Sequence, residues 1–169
     1  TGAKYATTVS NCTAGLHLSC LAAGFSLGDE VIVPAQTHTA TAHAVEFTGA
    51  KAVFGDVDLL SGNILLEELD RKLTDQTKGI IPVHMAGYPC DIEKIKVFCQ
   101  KHDLILIEDC AHAVGTTFNG IHAGNHGITG CFSFYPTKQI TTGEGGIVIS
   151  NDKRIINEIK KLKAFGIDT

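Results

Sequence analysis

Lys138 stands between an apolar run, CFSFY (131–135), and a glycine-rich one, TTGEGG (141–146). A cation in that place is either solvated in a loop or held inside a site, where a deprotonated lysine amine can add to a carbonyl. Several other groups sit at comparable places. Asp109 ends the apolar run LILIED (104–109), where a carboxylate is costly without a partner. A protonated ring nitrogen, a backbone donor or an arginine would serve, and the sequence holds only two arginines, Arg71 and Arg154. His112 follows three residues later, close enough to touch the same ligand. His38 lies just past GDEVIVP (28–34). It is either a flat group able to stack on a ring from one side or an ordinary, partly buried histidine.

SNCTAG (10–15) reads as a helix start. The free N–H groups of Thr13 and Ala14, the Thr13 hydroxyl and the positive end of the helix dipole would seat a phosphate there. An ordinary capped helix has the same pattern. Ser133, on the strand five residues before Lys138, could hold a phosphate as well. Phosphate seat, stacking group, strand-end aspartate and turn-held lysine, in that order, match what pyridoxal phosphate requires: a lysine imine, with an aspartate commonly paired to the ring nitrogen.

The elements that must position these groups alternate along the chain. Strands are expected at 4–9, 28–34, 51–58, 79–84, 104–109, 131–135 and 145–150. Helices are expected at 10–24, 39–50, 65–77, 91–103 and 153–165. Ser10, Asn11 or Thr13 can cap the first helix and Asp91 the fourth. Leu66, Leu69 and Leu73 share one face of the third, and Ile92, Ile95 and Cys99 recur at helical intervals in the fourth. LILI shows no alternation, as expected of a strand covered on both faces. Seven strands with interleaved helices imply an α/β sheet with helices on both faces. Such sheets bind ligands beyond the carboxyl ends of their strands, which is where the residues singled out above fall.

The bulk properties narrow the partners. With 169 residues, 44% hydrophobic and 19% charged, the chain suits one ordinary globular domain. A net charge of −4 with no basic run argues against nucleic acid. The apolar runs are too short for a membrane helix. The six cysteines, at 12, 20, 90, 99, 110 and 131, form no C-x-x-C pair and suit a reduced, cytoplasmic protein with buried thiols. His122 and His126 are four apart, but Gly124 and Gly127 argue against a helix that would align them on a metal. The chain starts at Thr1 without a methionine and stops at Thr169 just past a helical pattern, so it reads as a piece of a longer one.

SNCTAGLHL, GDEVIVPAQTHTATAHAV, GAKAVFGDVD, PVHMAGYPCDI, LILIEDCAHAVGTTFNG and FSFYPTKQITTGEGG, in that order, resemble the large domain of the DegT/StrS-type aminotransferases of the aspartate-aminotransferase fold group. The resemblance implies a three-layer α/β/α domain with a mostly parallel seven-stranded sheet, binding pyridoxal 5'-phosphate. It places residues 1–169 as that large domain, without the small carboxy-terminal domain that family members also carry. By the same resemblance Lys138 matches the lysine that carries the cofactor, Asp109 the partner of the ring nitrogen, and His112 a residue near the ring oxygen. His38 takes the stacking position, more usually an aromatic, and Thr13, Ala14 and Ser133 the phosphate contacts. The implied activity is transfer of an amino group from glutamate or glutamine to a keto group of a nucleotide-linked sugar, in a homodimer. One branch of the family has histidine in place of the lysine and removes a sugar hydroxyl; Lys138 favours the transaminase branch. Two other readings stand beside it. One is a module that holds the cofactor without turnover. The other is a nucleotide-binding α/β domain, for which the single glycine of SNCTAG is a poor match to G-x-G-x-x-G.

Overall fold

In the computed structural model, which describes residues 1–167, seven strands form one sheet: β1 (Tyr5–Val9), β2 (Glu30–Pro34), β3 (Lys51–Gly55), β4 (Thr77–Ile80), β5 (Ile105–Asp109), β8 (Thr129–Ser133) and β9 (Gly146–Ser150). Their order across the sheet is β1-β9-β8-β5-β4-β2-β3. The strands from β8 to β3 are parallel, and β9 runs against both of its neighbours. The carboxyl ends of β1, β2, β5 and β8 therefore share one edge with the start of β9. Val9 and Ser133 both pair with Gly146 there.

Helices cover both faces. α1 (Cys12–Ala22), α2 (Thr39–Glu46) and α5 (Lys153–Lys163) bury Leu16, Cys20, Ala44, Val45, Ile156 and Ile159 against Val31, Val33, Ile107 and Val148. α3 (Leu66–Lys72) and α4 (Ile92–Lys101) bury Leu69, Ile92, Ile95 and Cys99 against Ile32, Ile80 and Leu106. Successive strand residues point to opposite faces, so Val31 and Val33 serve one layer and Ile32 the other. This is the three-layer α/β/α arrangement expected from the sequence.

Several boundaries differ from the sequence reading. α3 stops at Lys72, with Leu73 already extended. Thr74 and Thr77 close the chain into a turn there, through Thr77 N–H on the Thr74 carbonyl and Thr74 N–H on the Thr77 hydroxyl. The fourth strand starts earlier than expected and ends at Ile80; past Pro82, which has no N–H to donate, only a bridge from Val83 to Asp109 continues it. A hairpin, β6 (Thr117–Phe118) and β7 (Ile121–His122), was not foreseen. Asn119 and Gly120 turn it with φ of 48° and 81°, the doubly left-handed turn that Asn-Gly favours. A single 3-10 turn at Met85–Gly87 was also missed.

Gly146 shows how tightly the sheet edge and α1 are joined. A Cβ there would lie 2.7 Å from the Asn11 carbonyl carbon and 2.8 Å from Cys12 N and Phe132 O. All three are backbone atoms, so only glycine lets the start of α1 approach β9 this closely.

Candidate active site

A cavity of about 710 Å³ opens at the carboxyl edge of the sheet, lined by Thr13, His38, Asp109, His112, Ser133 and Lys138 among others. These are six of the seven residues singled out in the sequence. Ala14 is not in its wall. It borders a separate groove with His17 and Lys163, and its N–H donates to Asn11 Oδ1 at 2.8 Å. Asn11 is thus the N-cap of α1, and it takes one of the amides that a phosphate at the helix start would otherwise use.

Strand alternation sets the two acidic residues of β5 to opposite tasks. Asp109, 3% exposed, belongs to the cavity face. Its Oδ2 accepts from the Thr41 hydroxyl at 2.7 Å, and its Oδ1 from Ala111 N–H at 3.0 Å. No cationic group lies within 4 Å of it among the described residues. Glu108, fully buried, points the other way. Its Oε1 accepts from His126 and Gly127 N–H, and its Oε2 from Gly124 N–H and His84 Nε2. Burial pushes the Glu108 carboxyl up, but the bonds from His84, Gly124 and Gly127 outweigh it and hold the group below the usual glutamate value.

His84, Glu108 and Cys110 lie close enough together to suggest a metal site. The bonding argues against one. Cys90 N–H donates to His84 Nδ1 at 3.1 Å, so Nε2 carries the proton toward Glu108, and the Glu108 oxygens already hold four donors. Burial also pushes the Cys110 thiol well above its ordinary value, away from the thiolate a metal needs. The set is a structural lock on the turn before β8, which sequence reasoning missed.

The remaining side chains are held by turns. His38 caps α2, with Nδ1 accepting Ala40 N–H at 3.1 Å. The His112 Nδ1 accepts Ala86 N–H at 3.4 Å, which leaves its proton on Nε2, and its carbonyl accepts from the Gln139 amide. Burial lowers the His112 pKa, and the Lys138 and His38 charges add to this while Asp109 opposes it. The His112 ring thus senses both the cation and the carboxylate of the cavity. Ser133, at the end of β8, accepts Tyr135 N–H at 3.3 Å. Lys138 N–H donates to the Tyr135 carbonyl at 2.9 Å, closing the turn through Pro136 that brings the lysine back over the sheet edge. Thr142 and the glycines of 143–146 then return the chain into β9, with Thr142 N–H on the Phe134 carbonyl.

A buried carboxylate with one donor on each oxygen and no cation within 4 Å among the described residues, facing an open cavity, has acceptor capacity left for a protonated ring nitrogen. A lysine and two histidines share the same space. The cavity volume lies within the range of about 300–1,000 Å³ typical of small-molecule and cofactor sites. The donor set fits pyridoxal phosphate.

The sequence profile of the DegT/DnrJ/EryC1/StrS aminotransferase family matches residues 1–169. The chain belongs to this family. Among its relatives, the GDP-perosamine synthase of Escherichia coli O157:H7 is 44% identical over 164 residues, which are 97% of this chain and 45% of that protein. Among solved structures, an aminotransferase from Psychrobacter cryohalolentis matches with a TM-score of 0.96 and 42% identity, over 98% of this chain and 42% of that one. A GDP-4-keto-6-deoxymannose-3-dehydratase with a trapped PLP-glutamate geminal diamine matches with a TM-score of 0.91 and 34% identity, over 98% and 44%. The chain thus spans less than half the length of each of these family relatives, and its aspartate-aminotransferase-like fold is the one they share.

Proposed function

We propose that this chain is the cofactor-binding part of a pyridoxal phosphate-dependent aminotransferase that moves an amino group from glutamate or glutamine to a keto group of a nucleotide-linked sugar. The observation that carries the reading is the meeting, in one cavity, of Lys138 with a buried Asp109 that lacks a cation. When bound, pyridoxal phosphate supplies an aldehyde that condenses with amines and a ring that draws electrons from the adjoining carbon. Lys138 Nζ is the amine that holds the aldehyde. Freed when the donor's amine displaces it, the same amine would take the proton from the donor's α-carbon and deliver it to the former aldehyde carbon of the cofactor, the general acid–base role. Asp109 keeps the ring nitrogen's proton in place. Thr13 and Ser133 are the phosphate ligands and His38 and His112 the ring's neighbours, with Ala14 held in that set only if Asn11 yields its cap.

A GDP-sugar synthase and an aminotransferase among the relatives support the substrate class and the reaction. The dehydratase relative makes dehydration the second reading; a lysine at position 138, where that branch carries histidine, favours amino transfer. Homodimer formation belongs to the same proposal.

A half-reaction tests it. The full-length protein that contains this chain is purified and loaded with pyridoxal phosphate, and glutamate or glutamine is added without a sugar acceptor. Loss of the visible absorbance band with release of the matching 2-oxo acid supports the aminotransferase. A band inert to every amino donor would leave a binding module.

A further inference from the structure

We infer that Thr41, oriented by Thr37, is a positioning residue for Asp109, fixing the carboxylate in the plane in which it meets a protonated ring nitrogen; this rests on the pyridoxal phosphate reading above. Thr41 is fully buried on the first turn of α2. A threonine hydroxyl in or beside a helix can turn back to a carbonyl three or four residues earlier, as Thr48 does just past α2, donating to the Val45 carbonyl at 2.7 Å. Thr41 instead sends its proton across to Asp109 Oδ2, 68 residues away, at 2.7 Å.

The direction of the next bond follows. Thr37 Oγ1 and Thr41 Oγ1 lie 2.7 Å apart. A hydroxyl has one proton, an ionised Asp109 can only accept, and Thr41 has given it its proton. Thr37 must therefore donate to Thr41. A one-way chain runs from Thr37 in the cavity wall, through Thr41, to Asp109. With Ala111 N–H on Oδ1, each carboxylate oxygen holds one donor, which fixes the rotation of the group about its last bond. The acceptor capacity left over belongs to a side chain that lines the cavity. Hydrogen bonds in such a chain polarise one another, and the outer hydroxyl reinforces the inner one.

The test compares wild type, Thr41→Val, Thr41→Ser, Thr37→Val and Lys138→Ala, each titrated with pyridoxal phosphate. It reads the dissociation constant, the visible circular dichroism of the bound cofactor, and the thermal midpoint without cofactor. Thr41→Val keeps the branched shape and loses the donor. Its dissociation constant is expected to rise about tenfold or more, as for loss of a hydrogen bond to a charged group. Its visible dichroism weakens, because the ring is no longer held at one angle. Thr41→Ser restores both. Thr37→Val moves them in the same direction by less, because Thr41 still reaches Asp109. A purely structural role would lower the cofactor-free midpoint of Thr41→Val and leave the dichroism of the bound cofactor unchanged; that result overturns the proposal. So does a Thr41→Ser variant as weak as Thr41→Val. If Lys138→Ala loses covalent attachment while Thr41→Val matches wild type, the positioning role alone falls. If the wild type takes up no cofactor, the underlying reading falls and takes this one with it.

Discussion

Replacing Glu108 with glutamine tests how the fold supports the site. The carboxylate is fully buried, and each of its oxygens accepts two donors: His126 and Gly127 N–H on Oε1, Gly124 N–H and the His84 ring on Oε2. Glutamine keeps the shape but turns one oxygen into an NH₂ group. Whichever way the amide is placed, two of the four donors then face a donor. Two hydrogen bonds to a charged group are lost, each worth about 1.5–3 kcal/mol, so the cost is about 3–6 kcal/mol. At about 2–4 °C per kcal/mol for a domain of this size, the thermal midpoint of Glu108→Gln should fall by at least about 6 °C. The pH dependence carries a second signature. Glu108 is held below its ordinary value of 4.5 on folding, so its stabilisation is complete above that value and fades as pH falls through the lowered one. Wild type should therefore lose this component of stability on acidification below 4.5, and the variant should lack it. Calorimetric melts from pH 7 down to pH 3 give both numbers. A Glu108→Gln midpoint within about 2 °C of wild type at pH 7 would refute the lock.

Three other outcomes follow from the geometry. Gly146→Ala forces a Cβ against the Asn11 and Cys12 backbone; it should cost about 1–3 kcal/mol in chemical denaturation and weaken pyridoxal phosphate binding, because the start of α1 is displaced. His112, lowered by burial and by Lys138, should titrate below 6.5 by NMR in the cofactor-free protein. In the same experiment Lys138→Ala should raise that midpoint and Asp109→Asn should lower it, since the two charges act on the ring in opposite senses.

The seven strands, the five helices and the edge that carries the cavity were legible in the sequence, because their signals are local. LILI has no alternation, α4 and α5 have strong apolar stripes, and Asp91 begins α4 as a cap should. Six of the seven chosen side chains reach the cavity because the strand-end rule depends only on the order of elements. Ala14 borders a separate groove, and its amide is held by the side chain of Asn11, one of three capping candidates, a choice the sequence left open. The β6–β7 hairpin has a local signal in Asn119-Gly120. Thr37 and Thr41 were visible only as two threonines four apart on a helix start; the partner of Thr41 is 68 residues on. The pairing of His84 with Glu108 depends on β4 lying beside β5, and no local pattern encodes that adjacency.

In the proposed function one amine, Lys138 Nζ, carries the cofactor. Borohydride reduction of the pyridoxal phosphate-loaded protein fixes the attachment permanently, and proteolysis with mass spectrometry locates it. A pyridoxyl group on the peptide containing Lys138, absent from Lys138→Ala, is the expected result. Stoichiometric label on any other lysine, or label undiminished in Lys138→Ala, would contradict the assignment.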